Sequence, residues 1–431
     1  METKQEKRKR LILTNRRLDP KLRMIANANS KVNRIRAEFS ASVSVKKERP
    51  IPKKRLLKQE TIPLKRTELP DSAPRGILDS IPDDIETSVF IEFEPSFSEK
   101  SDLSIPGQIS RQGNIITAKI PLSQLKELQD DPSILHVEIG QRLEMPRPKL
   151  ENSHSSSPDP EIPRARTSVD LSGLRKVLIG IIDCQGFDFS HPDFLDENDS
   201  TKFYRIWDQG AEGVPSPSDF NYGVEIEQGE MNEAIRAGRE SGFPPYLLVT
   251  QSEMIQGSHG THVASIAAGN LGVCPNAYIV GVLLSLSEDD YDRRKCFYDT
   301  PRIADAMKYI LNCAKKLEED LQEEITVAIN ISLGTNGHAH DGSATINRWI
   351  DSELTLPGRC VCVSAGNAGQ EKPETEDDVG FIMGRIHTSG QIPARGLTKD
   401  IEWIVVGNSL ADISENELEI WYSPQDRFLS S

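Results

Sequence analysis

Nearly unbroken apolar runs punctuate the second half of this chain. Val177–Ile182, Ala277–Val282, Val327–Ile331 and Cys360–Val363 are strand-length, and their composition predicts strands buried on both faces. Between them the period changes. Thr261–Ala268 is rich in small residues, while Ile303, Met307, Ile310, Leu311 and Ala314 recur on one helical face of Pro301–Leu317. Thr300 stands as its N-cap and Pro301 at its first helical position. Strands alternating with helices predict an α/β fold, a doubly wound and mostly parallel sheet, over residues 171–386.

Upstream the pattern is different. Val89–Phe93, Ile115–Ile120 and Ile134–Ile139 read as strands; Leu122, Leu125 and Leu128 read as a short helix that Asp131-Pro132 stops. Residues 81–147 are therefore expected to form a small α+β domain, separated from the sheet by the Ser/Pro-rich stretch Glu151–Pro163. Residues 1–75 carry one expected helix, Lys21–Phe39, then a Pro/Lys/Arg-rich stretch, Arg49–Pro74, that sustains neither helix nor central strand. Residues 387–431 read as β-rich, with Glu402–Val406 and Glu417–Tyr422 as strand candidates. No internal repeat is present.

Charge sharpens this division. The 431 residues carry a net charge of −15, yet residues 1–75 hold 22 Lys and Arg against 8 Asp and Glu, or +14, leaving −29 on the rest. The arm lacks interleaved aromatics and any groove-reading motif, so it is expected to lie against the acidic body of its own chain rather than on nucleic acid. No run approaches the ~18 apolar residues of a membrane span. Leu11-Ile12-Leu13 is too short for a secretory signal before Arg16 and Arg17. The six cysteines show no Cys-x-x-Cys spacing, and several sit in apolar runs, as reduced core thiols do. These features together predict a cytoplasmic protein without a membrane partner.

Three segments carry candidate chemistry. Asp183 follows the apolar run Val177–Ile182, which delivers a carboxylate to the carboxyl edge of a parallel sheet, although a strand-end Asp also serves as a turn residue. Gly257-Ser258-His259-Gly260-Thr261-His262 opens a small-residue helix that can pack closely on a sheet with an imidazole facing the cleft. His259 and His262 lie three apart, but no Glu stands between them as the His-Glu-x-x-His metal pattern requires. Ser364-Ala365-Gly366-Asn367 closes another strand, and an Asn amide there can donate to an oxyanion or simply occupy a Gly-flanked turn. Ser332-Leu333-Gly334 supplies a further small-residue strand end.

Together, and in the order Asp, His, Asn, these segments resemble the subtilisin-like serine peptidases over residues 171–386. The resemblance implies Asp183 as orienting carboxylate, His259 as general base and Asn367 as oxyanion donor. Ser332, Leu333, Gly334, Ala365 and Gly366 would line the groove for an extended peptide or protein substrate. It further implies that residues 81–147 are an inhibitory propeptide of ferredoxin-like form. Phe187–Phe194 and Arg205–Gln209 are similar to intracellular bacterial members carrying a β-domain inserted before the nucleophile, which residues 387–431 would begin. No cofactor is required; calcium at Asp193, Asp196, Glu197 and Asp199 competes with a solvated acidic turn.

The sequence departs from the family pattern at two places. The family's carboxylate is followed by Ser or Thr and then Gly, whereas here Cys184-Gln185 delays the glycine to Gly186. The nucleophile motif Gly-Thr-Ser-Met-Ala is absent, and Ser389 in Thr388-Ser389-Gly390 lacks its neighbours. A polypeptide ending at Ser431 would thus hold two of three triad members and not hydrolyse peptides, the serine arriving from a downstream segment or a complementing chain. The alternative expectation is a non-catalytic pseudopeptidase that binds peptides as a regulator.

Overall fold

The computed structural model describes residues 17–19, 22, 86–95, 105–121, 124–140, 143, 176–213, 215–254, 257–284, 300–334, 341–365, 390–392, 394 and 397. In chain order these form β1 (Glu86–Phe93), β2 (Gln108–Gln112), β3 (Ile115–Pro121), α1 (Leu125–Asp130), β4 (Ile134–Ile139), β5 (Lys176–Asp183), β6 (Phe203–Asp208) and β7 (Val224–Glu227). There follow α2 (Gln228–Ser241), α3 (Pro245–Leu248), α4 (His259–Ala268), β8 (Tyr278–Leu283), α5 (Thr300–Leu321), β9 (Ile325–Ile331), α6 (Thr345–Glu353) and β10 (Arg359–Val363). The chain divides into two compact units, and one of them, Thr87–Ile120 with Ser133–Asn367, contains almost all of both sheets.

In the other unit, the Arg17 guanidinium donates to the carbonyls of Gln129 and Asp131 at the end of the short helix α1. Asp19 accepts the Leu22 amide. Apart from Leu22, the expected helix Lys21–Phe39 lies outside the described residues, as do the strand candidates Glu402–Val406 and Glu417–Tyr422.

The large sheet has the order β10-β9-β5-β8-β6-β7, with all neighbours parallel except the β6–β7 pair. Chain order explains its shape. From β5 the strand sequence is laid outward through β6 and β7, then β8 inserts beside β5 and β9 goes down on the opposite side. This reversal falls at β5, and the carboxyl end of such a strand is the place where sheets of this kind bind their ligands.

Side chains of β5 alternate between two cores. Leu178 and Ile182 join α5 and α6 on one face; Ile181 joins Phe187, α2 and α4 on the other. Two glycines admit close packing at the centre. A Cβ on Gly180 would lie 2.7 Å from methyl carbons of Ile310, and one on Gly281 would lie 2.7 Å from the Phe187 ring. Cys274, Cys313, Cys360 and Cys362 are free thiols. Cys184 and Cys313 are buried, but Cys360 and Cys362 are exposed, so β10 is not the doubly buried strand that its apolar sequence predicts. It forms the sheet's outer edge among the described residues.

The small sheet has the order β2-β3-β1-β4. It shares a hydrophobic core with α5 and α6, to which Phe90, Ile115 and Leu143 contribute beside Met307, Ile310 and Trp349. Polar contacts fix the register of this packing. Helix α6 has no side-chain cap of its own, and Glu138 of β4 accepts from the Thr345 amide at 3.0 Å and the Thr345 hydroxyl at 2.8 Å. A carboxylate there also meets the positive end of the helix dipole. Glu92 of β1 pairs with Arg348 one turn on. Among the described residues no helix is long and apolar enough to cross a membrane.

Asp305 of α5 lies wholly inside this packing. Its carboxylate accepts from Ser110 and Thr117 of the small sheet and from the Tyr222 hydroxyl. Burial pushes its pKa up to about 6, while the three hydroxyl donors oppose the shift. The folded state therefore holds a proton that the unfolded chain releases near pH 4, so the contribution of Asp305 to stability is fully present below pH 4 and is lost as pH rises through 6. The size of the effect is about 3 kcal/mol. Urea midpoints measured from pH 4 to pH 7.5 should show this loss over roughly those two units, and Asp305→Asn should flatten it.

Candidate active site

Asp183 ends β5 and is fully buried. A buried carboxylate needs partners, and its own turn provides two: Oδ1 accepts from the backbone N–H of Cys184 at 2.8 Å and of Gln185 at 3.0 Å. Oδ2 is left for His259, whose Nδ1 lies 2.7 Å away. The acceptor-only carboxylate places a proton on Nδ1, so in the neutral imidazole Nε2 carries the free lone pair. The His259 side chain is 32% exposed, which leaves the ring open to solvent while its partner stays dry. The hydrogen bond that the imidazole donates to Asp183 raises it above its ordinary pKa, against the opposing effect of partial burial.

The loop after Asp183 and the start of α4 interlock through backbone and hydroxyl groups. Gly260 has no room for a side chain, because a Cβ would stand 2.3 Å from the Gln185 carbonyl oxygen. Ser258 donates its hydroxyl to the Gly186 carbonyl and shares a second bond with Thr261 Oγ1 at 2.7 Å. Thr261 Oγ1 accepts from the Asp188 amide at 2.8 Å. Gln251 acts as a clamp: its amide receives the Phe187 N–H at 2.9 Å and donates to the Phe187 carbonyl at 2.8 Å. The small residues of α4 are thus spacing elements, and the helix is pinned against the carboxylate's own turn.

Neighbouring strands present the other sequence-predicted residues at the same edge. Ser332 follows β9 and donates its amide to Ile182 at 3.4 Å; Ser364 follows β10 and donates to Ile331 at 3.0 Å. Asp183, Ser332 and Ser364 are therefore carried by three adjacent parallel strands. Leu333 sends its side chain into the core, so that only its backbone is available to a groove. Gly334 is half-buried and Ala365 exposed, whereas Gly366 and Asn367 lie outside the described residues. His262 is exposed on α4, away from the bond that holds His259.

The acidic residues weighed for calcium do separate local work. Asp193 accepts from the Ser265 hydroxyl and the Leu271 amide, Asp196 closes a turn over Asn198 and Ser200, and Asp199 pairs with Arg239. Among the described residues, no group of three or more His, Cys, Asp or Glu is arranged to hold a metal ion. Sequence reading missed Gln185 and Gln251; the only trace of the first was the glycine displaced to position 186.

The profile of the Peptidase_S8 family, described as the subtilase family, matches residues 175–416. Among solved structures, the CspB protease of Clostridium perfringens is similar at 24% identity, with a TM-score of 0.34, over 47% of this chain and 38% of that one. The aligned part thus spans well under half of the similar protein's length. No curated protein matches the chain.

Replacing Asp183 by Asn removes the anion from Nδ1 and should lower the titration midpoint of His259. Proton–carbon NMR of the imidazole across pH 4–9, a range of about two units on either side of an ordinary histidine, measures this directly. An unchanged midpoint would show that the contact carries no electrostatic coupling.

Proposed function

The chain belongs to the subtilase family, and from that premise we propose that it supplies the acid–base half of a serine-type endopeptidase. The observation that carries this reading is the 2.7 Å bond from Asp183 Oδ2 to His259 Nδ1 at the carboxyl edge of the parallel sheet. His259 Nε2 takes the proton of an attacking serine hydroxyl and returns it to the leaving amine; Asp183 holds the tautomer and stabilises the imidazolium between the two steps. Asn367 donates its side-chain N–H to the developing oxyanion, and Ala365 and Gly366 keep that approach open. The backbones of Ser332, Leu333 and Gly334 pair with an extended peptide or protein substrate.

The attacking hydroxyl comes from a segment outside these 431 residues, downstream or on a complementing chain, because no Gly-Thr-Ser occurs among them. The exposed Val363 supports this, since β10 forms the sheet's outer edge among the described residues. The small sheet serves as an inhibitor-like propeptide domain. In support, it meets α5 and α6 through carboxylates at a helix end and a buried hydroxyl–carboxylate cluster, contacts that water can replace on release.

A fluorophosphonate probe tests the assignment. The 431-residue polypeptide alone should remain unlabelled, and addition of a Gly-Thr-Ser-bearing downstream segment should restore labelling. His259→Ala should then reduce that labelling rate by about 10²–10⁴-fold, the usual contribution of a positioned general base. Labelling of the isolated chain would overturn the missing-nucleophile reading. Specific peptide binding without any labelling after complementation would favour a pseudopeptidase.

A further inference from the structure

We infer that Gln185 is a positioning residue for the Asp183–His259 pair, tying the carboxylate's turn to the first amide of the histidine helix. The inference rests on the reading of His259 as general base. Gln185 touches both partners at once. Its backbone N–H donates to Asp183 Oδ1 at 3.0 Å, and its side-chain Oε1 accepts from the His259 backbone N–H at 2.7 Å. With the bond from Asp183 Oδ2 to the imidazole, these close a ring of three hydrogen bonds through three residues.

The local chemistry explains why a glutamine fits here. The first amides of a helix lack intrahelical acceptors, and an N-cap side chain reaches only the second and third of them, so the first amide, here that of His259, needs an acceptor from elsewhere. In α4 the N-cap is Ser258, which makes no side-chain cap bond and instead spends its hydroxyl on Gly186 and Thr261. The orphan amide of His259 is met by the Gln185 side chain, 74 residues upstream. An acceptor one methylene shorter would fall short of it from the same backbone position. The Gln185 carbonyl also lies against Gly260, where a Cβ would stand 2.3 Å away, so the turn and the helix cannot slide past one another. What would read as a late glycine is an inserted reach: one extra residue lets a side chain cap the helix that carries the base.

The test uses the whole 431-residue chain and requires no turnover. NMR of the His259 imidazole reads its titration midpoint and its Nδ1–H resonance in wild type, Gln185→Leu, Gln185→Asn and Gln185→Glu, with far-UV circular dichroism confirming the fold. Leu keeps the bulk and removes the acceptor; Asn keeps the amide and shortens it; Glu keeps an acceptor at full reach. Leu and Asn should weaken the downfield Nδ1–H signal and move the midpoint toward that of Asp183→Asn, while Glu should retain the signal. Should Leu fail to fold, the Asn and Glu pair carries the same comparison. Wild-type behaviour in both Leu and Asn would overturn the positioning role. Loss of any difference between wild type and Asp183→Asn would instead overturn the reading of the dyad itself.

Discussion

A carboxylate sealed at the end of a parallel strand requires compensation, and the geometry of this site follows from how that requirement is met. Asp183 is inaccessible to water, so its charge depends on two turn amides and one imidazole. The amides come from residues immediately following in the chain and are secured by local geometry. The imidazole comes from a helix 76 residues away and is secured only by the fold. Sheet order, the small residues of α4 and the stitched loop at residues 184–190 all serve to bring that one ring to the carboxylate. Exposure is asymmetric across the bond: none at Asp183 and a third of the side chain at His259.

The packing of the small sheet follows a different logic. Its apolar contribution to the shared core is modest, and register is set by Glu138 at the start of α6, Glu92 on Arg348 and two hydroxyls on Asp305. Around it, among the described residues, Thr87 Oγ1, Arg348 Nε and Trp349 Nε1 are buried without a hydrogen-bond partner. Unmet polar groups weaken an interface relative to a dry core of equal area, while paired charges still specify one arrangement. Such a surface favours one docked geometry over tight adhesion. It contrasts with the central sheet, where Leu178, Ile182, Val280 and Val282 are buried at no polar cost.

The sequence made the centre of the fold legible and its periphery much less so. Val177–Ile182 and the helical spacing of Ile303, Met307 and Ile310 announced β5 and α5 because burial on both faces, or on one broad stripe, leaves an unmistakable pattern. β2 was silent: Gln108-Ile109-Ser110-Arg111-Gln112 is an edge strand rich in polar side chains, of which Ser110 bonds Asp305 and Gln112 bonds Ser352 and Lys308. α2 was equally silent, since Met231, Ala234, Ile235 and Gly238 are all it buries among fourteen mostly polar residues. β10 failed in the opposite sense. Its Cys-Val-Cys-Val run looked like a core strand, but exposure is decided by what lies beside a strand rather than by its own composition. Leu333 misled similarly, a core side chain within a turn whose small neighbours suggested a groove.

The candidate site was legible as residue types and illegible as connections. Asp183 and His259 declare themselves through their surroundings, an apolar run before one and small residues after the other. Nothing in a linear string pairs Gln185 with the amide of His259, because a cap supplied from a distant loop has no fixed spacing. Motif comparison penalises the residue that displaces Gly186, yet that residue supplies the acceptor for the first amide of α4, which an N-cap side chain does not reach. A family motif records one way to aim a carboxylate at an imidazole; the constraint itself is a distance and an acceptor for an orphan amide. Where a chain breaks the motif but keeps the distance, the inserted residue is the place to look for the replacement contact.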